Sequence, residues 1–138
     1  MARTTFSGPV KSDNGFEGNL TGNVTGDISG ALLNVTIPSA TVAATGTVQA
    51  NAAAVTTGFT LVSAADGTKG IKLPAAAAGL VVMLKNNANA GLKVYPNTSD
   101  KIDGGSANAA VTMNNSSSAM FVAYDATDWY SIVFTAAA

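Results

Sequence analysis

The chain has 138 residues, of which 47% are hydrophobic and 11% charged, with a net charge of −1 and neither cysteine nor histidine. This charge balance gives no electrostatic footprint for nucleic acid. The absent residue types exclude disulfides, thiolate zinc sites and the commonest general base. Residues 1–9 contain no apolar stretch, so we expect no secretory signal, and the longest apolar run, residues 75–84, is too short to span a bilayer. We therefore expect neither a nucleic-acid nor a membrane partner.

A four-residue repeat occupies residues 18–30, reading Gly-Asn-Leu-Thr, Gly-Asn-Val-Thr, Gly-Asp-Ile-Ser and a final Gly. In an extended strand, Phe16, Leu20, Val24 and Ile28 share one face with the glycines, and the polar residues take the other. A helix could align the same apolar residues, but each glycine costs a helix about 1 kcal/mol relative to alanine. We predict an extended β arm over residues 1–38, with these four apolar side chains in contact with other chains.

The middle segment, residues 39–56, has no charged and no aromatic residue. It consists almost entirely of small or uncharged polar residues. Such a composition fits either a pair of small-residue strands or a linker. We interpret it as a connecting segment between the arm and a domain that begins at residue 57.

The remaining residues, 57–138, carry short apolar runs separated by turn sequences such as Asp66-Gly67 and Asp103-Gly104-Gly105. The predicted strands are Phe59 to Ala64, Gly70 to Leu73, Leu80 to Lys85, Leu92 to Tyr95, Ala110 to Met113, Ala119 to Tyr124 and Trp129 to Phe134. Short strands at regular spacing, without a helical pattern, are typical of an antiparallel sandwich or barrel. The predicted fold class is all-β, an extended arm followed by a small antiparallel β-sandwich of the jelly-roll type.

The last two predicted strands have apolar residues on both faces, which indicates that one face packs in the core and the other is covered by a neighbour. Phe121, Trp129, Tyr130 and Phe134 are the candidate core or trimer contacts. A domain of about eighty residues also has a small core. We therefore expect a homotrimer.

No catalytic constellation is present, and we expect no enzyme, no metal and no cofactor. Most acidic residues fall at predicted turns, where aspartate bonds to the local backbone. Residues 100–105 carry Asp100 and Asp103 on a glycine turn that could suit Ca²⁺, but they lack the ligand ladder of an EF-hand. Tyr95, Tyr124, Trp129 and Tyr130 could form a sugar-stacking platform or anchor the core and subunit contacts.

Two stretches resemble structural proteins of tailed bacteriophages. The opening, Phe6-Ser7-Gly8-Pro9-Val10-Lys11-Ser12-Asp13-Asn14-Gly15-Phe16 with the repeat after it, looks like the N-terminus of small virion proteins. Residues 91–96, 100–104 and 125–130 are similar to β-rich domains of head-decoration and fibre proteins. The resemblance implies a trimer that binds a capsid or forms a fibre segment, without catalytic residues.

These observations favour a capsid decoration (cement) protein of the virion, assembled in the host cytoplasm, whose partners are its own copies and the major capsid protein. The four apolar arm residues would make the capsid or inter-subunit contacts. The alternative is a short head or tail fibre protein that binds host glycans at its tip through the aromatic residues.

Overall fold

The computed structural model describes residues 37–56 and 58–134 of the chain. These residues form ten strands and one short 3-10 helix, Gln49–Asn51. In chain order the strands are β1 Ser39–Ala43, β2 Ala53–Ala54, β3 Gly58–Ser63, β4 Gly70–Lys72, β5 Val81–Asn86, β6 Leu92–Tyr95, β7 Lys101–Ile102, β8 Val111–Met113, β9 Ser118–Ala123 and β10 Asp128–Phe134.

Strands β1 to β9 alternate between two sheets, so this part of the chain coils rather than folding back on itself. The six-stranded sheet has the order β1-β3-β5-β9-β10-β7, and the four-stranded sheet has the order β2-β4-β6-β8. The first three coils stack in parallel, because β1 pairs with β3 and β3 with β5 in one sheet, while β2 pairs with β4 and β4 with β6 in the other. The fold is thus all-β, as predicted, and is a β-solenoid.

The antiparallel, jelly-roll-like sandwich expected from the sequence is wrong for most of the described strands. From β1 to β9, consecutive strands lie in opposite sheets, so the turn sequences between them are corners of a coil; only β9 and β10 form a hairpin among the described strands. Only the C-terminal part is antiparallel: β8 pairs with β6, β9 with β5, and β10 with β9. These strands close the end of the solenoid.

The middle segment, interpreted from its sequence as a connection, contains the first coil of the solenoid. Strand β1 runs in register with β3, with Ser39 opposite Phe59 and Ala43 opposite Ser63. Strand β2 pairs with β4 in the other sheet. Residues 39–43 and 53–54 of this segment are therefore strand residues, and the boundary expected at residue 57 falls inside the described solenoid.

The core lies between the two sheets. The six-stranded sheet contributes inward residues such as Val62, Leu84, Phe121 and Trp129, all at most 1% exposed. The four-stranded sheet contributes Ile71, Leu92, Val94 and Met113. Alternation along each strand then sends the intervening side chains of the six-stranded sheet to its outer side.

Two positions show how tightly the coils are held. Gly70 lies where an added Cβ would come within 2.7 Å of the Lys93 carbonyl oxygen and 2.7 Å of the Tyr95 ring. Asn86 is fully buried, donates to the carbonyls of Ala90 and Asn114 at 2.8 and 2.9 Å, and accepts from the Ala88 N–H at 3.1 Å. Neighbouring coils are therefore joined by close backbone approach and by a buried amide.

Candidate interaction surface

The outer side of the six-stranded sheet is apolar across four adjacent strands. Register places Phe59, Met83, Met120 and Ile132 in one row across β3, β5, β9 and β10. The outward apolar residues of these strands are Phe59, Leu61, Val81, Met83, Met120, Val122, Tyr130, Ile132 and Phe134. We call this set the apolar face.

Several members of the apolar face are well exposed to solvent. Phe59 is 38% exposed, Tyr130 49%, Ile132 48% and Phe134 48%. These values are high for large apolar side chains that lie side by side on one surface. The face therefore differs from a scatter of single surface hydrophobes.

Polar groups border the apolar face at both ends of the strands. At one end, Lys85 reaches the carbonyl oxygen of Ser116 at 2.6 Å. At the other end, Lys101 pairs with Asp128 at 3.1 Å, and the hydrogen bond and charge of Asp128 raise the pKa of Lys101. An apolar centre with a polar border is typical of protein–protein interfaces.

A shallow groove of about 310 Å³ lies at the β1 side of this sheet, lined by Ser39, Ala40, Thr41, Phe59 and Leu61. It exists because β1 carries small side chains next to the larger residues of β3. The residues that line it from β1 are exposed. We call it the β1 groove.

At the edge of the apolar face opposite the β1 groove, aromatic side chains project from β10 and from the residue that follows β9. The rings of Tyr124 and Tyr130 meet edge to face, with their centroids 6.1 Å apart and an interplanar angle of 86°. Tyr124 is 73% exposed, and Phe134 is 48% exposed further along β10. Tyr124, Tyr130 and Phe134 together are the aromatic ridge.

A second cleft, of about 270 Å³, opens between the sheets where the six-stranded sheet extends beyond β8. Its lining includes Met113, Phe121 and Val133, with Asp103 and Ser131 among the polar members. Val133 points to this inner side and is 70% exposed. The cleft is therefore on the opposite side of β10 from the aromatic ridge.

Asp66 and Asp125 accept hydrogen bonds from the backbone of their own turns. The N–H groups of Lys69 and Thr68 bind the Asp66 carboxylate, both at 2.9 Å, and hold its pKa well below its usual range. Asp125 accepts in the same way from Thr127 and Asp128, which lowers its pKa. The turn interpretation of these two aspartates is confirmed.

The oxygen-rich loop does not bring its carboxylates to a common point. Asp100 is 5% exposed and accepts from the Ala76 N–H at 2.9 Å. Asp103 instead accepts from the backbone N–H and the hydroxyl of Ser131 at 2.8 and 2.6 Å. Within residues 37–56 and 58–134, no three metal-ligating side chains cluster.

The structure separates the candidate contact residues into two groups. Phe121 and Trp129 are in the core, whereas Tyr130 and Phe134 are on the apolar face. The arm candidates Phe16, Leu20, Val24 and Ile28 lie outside the described residues. The proposed sugar platform does not form as a set, because Trp129 is fully buried and the Tyr95 hydroxyl donates to the Thr47 carbonyl oxygen at 2.8 Å.

Sequence reasoning missed the β3 and β5 part of the apolar face. The signal was present, since Phe59 and Leu61 alternate with Thr60 and Val62, so that both sides of β3 carry apolar residues. The same holds for β5, where Val81 and Met83 alternate with Val82 and Leu84. Two-sided apolar patterns thus marked four strands and not only the last two.

Comparison of the chain with protein-family models, curated proteins and solved structures finds no match. Within the part of the chain that the structure describes, no helix has the length and apolar character needed to cross a membrane.

Proposed function

We propose that this chain is a virion structural protein, a capsid decoration protein that binds the outer surface of a tailed-phage head and stabilises it. It acts as a homotrimer, with the major capsid protein as its partner, and it takes part in assembly without catalysis. The observation that carries the proposal is the apolar face, since a surface of this size and composition is suited to permanent contact with protein.

The size of the face can be compared with known interfaces. Aromatic side chains bury about 150–250 Å² each, so a half-exposed ring leaves roughly 100 Å² in contact with water. The whole face then amounts to something on the order of 600 Å², at the upper end for monomers and near the ~800 Å² that each partner gives to a standard interface. Methionine and aromatic residues are also enriched in interfaces.

The arm has a separate role in this proposal. Phe16, Leu20, Val24 and Ile28, which share one face of the repeat when it is read as an extended strand, make the capsid or inter-subunit contacts. Binding to the assembled shell and not to its free subunits stabilises the shell by mass action.

A second candidate function is supported by one observation. Tyr124 and Tyr130 form an exposed aromatic pair beside the Lys101–Asp128 ion pair. Exposed aromatic rings with charged neighbours can bind sugars, which would fit a short head or tail fibre with a glycan-binding tip. Electron microscopy of labelled virions separates the two: many copies over the head support decoration, and a few copies at the tail or one vertex support a fibre.

The test of the decoration role is co-sedimentation of the full-length chain with isolated capsids. We expect binding by the wild type and loss of binding when Leu20, Val24 and Ile28 are all replaced with Asp. The matched control replaces Thr21, Thr25 and Ser29 with Asp, which adds the same charge to the polar face of the repeat and should leave binding intact. Failure of the wild type to bind capsids would overturn the proposed function.

A further inference from the structure

The apolar face has a groove at one edge and exposed aromatic side chains near the other. The β1 groove lies over β1 and β3, and the aromatic ridge rises from β9 and β10. With the strand order β1-β3-β5-β9-β10, about three strand spacings of roughly 4.8 Å separate them. The ridge of one molecule therefore cannot fill its own groove.

We infer that the apolar face joins copies of this chain, with the aromatic ridge of one copy packed into the β1 groove of the next. The occupant of the face is thus a second copy of the same chain. The inference rests on the proposed assembly role and names the partner of its apolar face. It also names the aromatic ridge and the β1 groove as the two parts of the face that contact each other.

Charge supports a second copy as the occupant. Like-charged faces repel when identical molecules meet, but the outer side of these four strands carries one charged side chain within the apolar face, Lys85, which lies in the end row with Leu61 and Phe134. The whole chain has a net charge of only −1. Self-association therefore meets little electrostatic resistance.

Shape and chemistry support the pairing of ridge with groove. Large rigid aromatic side chains are the usual anchors of interfaces, and they bind in pockets that exclude water. Tyr130 and Phe134 are such anchors, and the small side chains Ser39, Ala40 and Thr41 leave the space for them. In such a head-to-tail contact, each copy offers its ridge to one neighbour and its groove to another. Contacts of this type can close into a ring.

The test uses two variants of the full-length chain that each damage one patch. Tyr130→Asp places a charge on the ridge, and Thr41→Arg fills the groove from an exposed position on β1. Each variant alone should be monomeric by light scattering, with self-association weakened roughly 30-fold or more, as for an interface hot spot. Mixing the two should restore a complex, because the intact groove of one variant meets the intact ridge of the other.

Val133→Asp is the matched control, since this residue lies on the same strand, is more exposed than Tyr130, and points to the opposite side of the sheet. It should remain oligomeric, and circular dichroism should show that all three variants are folded. A monomeric wild type, oligomeric single variants, or no complex on mixing would overturn the inference. If the wild type forms oligomers but does not bind capsids, the proposed function is contradicted and the inference about the apolar face is not.

The chain has no cysteine, so single cysteines report which surface is covered. In the otherwise wild-type protein without capsids, Met120→Cys should be protected from a maleimide dye, whereas Val133→Cys should react. If Met120→Cys reacts in the free protein and becomes protected only on capsids, the occupant is the capsid and the inference fails.

Discussion

At the scale of single residues, Asn86 is the polar group on which two loops depend. Its amide binds the carbonyls of Ala90 and Asn114 and the N–H of Ala88 while itself being fully buried. Asn86→Ala leaves these backbone groups without partners, so we expect a loss of about 2–3 kcal/mol in the free energy of unfolding. Urea denaturation measures it, and Asn87→Ala, at the exposed neighbouring position, should change stability by less than about 0.5 kcal/mol.

The turn aspartates predict a pH dependence of stability. Backbone N–H groups lower the pKa values of Asp66 and Asp125 below the ordinary value of 3.8. Because a depressed folded pKa favours the ionised form, the stabilisation is fully present above the unfolded pKa and is lost as the pH falls through the folded values.

We therefore expect the melting temperature to stay level from neutral pH to about 5 and to fall below about pH 4, near the unfolded pKa of Asp. The double variant Asp66→Asn, Asp125→Asn keeps the oxygen acceptors without the titration, so its melting temperature should fall less steeply in acid. Equal slopes for the two proteins below pH 4 would contradict this assignment.

At the scale of strands, Gly70 sets the distance between β4 and β6. A Cβ at this position would overlap the Lys93 carbonyl and the Tyr95 ring. Gly70→Ala should therefore destabilise the fold by about 1–3 kcal/mol, the usual cost of overpacking. Gly91→Ala is the control, since its Cβ would have ordinary contacts, 3.4 Å from Thr112, and calorimetry should show little change.

The positions of the strands could be predicted from the sequence, but their pairing could not. All the strands predicted after residue 57 are present within one or two residues, because apolar alternation and turn residues are local signals. Whether a turn such as Asp66-Gly67 reverses the strand or carries the chain to the other sheet depends on long-range packing. Strands β1, β2 and β7 were missed. Ser39–Ala43 and Ala53–Ala54 are made of small residues, and Lys101–Ile102 is very short.

The apolar face was predictable only in part, because apolar alternation is a local signal whereas strand pairing is not. The two-sided apolar pattern of β9 and β10 marked Tyr130 and Phe134 in advance. Phe121 and Trp129 belong to the same strands but point inward, and only the register decides which side of the sheet faces the core. The β1 groove could not be foreseen, because it requires β1 and β3 to be parallel neighbours.

At the scale of the whole molecule, each parallel coil rests on its immediate neighbours, as in other solenoids. The six-stranded sheet buries one side in the core and leaves the apolar face outside. This sheet therefore has a buried apolar side and a broad exposed apolar side. That division fits the proposed role in assembly.

The coiled topology also has a kinetic consequence. Strand partners in successive parallel coils, such as Ser39 with Phe59 and Phe59 with Met83, are about 20 to 25 positions apart. Each of these parallel pairings requires closure of a sizeable loop, so folding should be slow for the chain's size. The chain has one tryptophan, Trp129, and it lies buried in the last strand.

The fluorescence of this single indole therefore reports when β10 packs on the core. In stopped-flow refolding, we expect amide protons of β3 and β5 to gain protection from exchange before the fluorescence of Trp129 reaches its native value. Native fluorescence ahead of that protection would mean that the C-terminal strands nucleate the fold. In the expected order, the parallel coils form first and supply the core on which β10 then packs, although the β9–β10 pairing itself closes only a short loop.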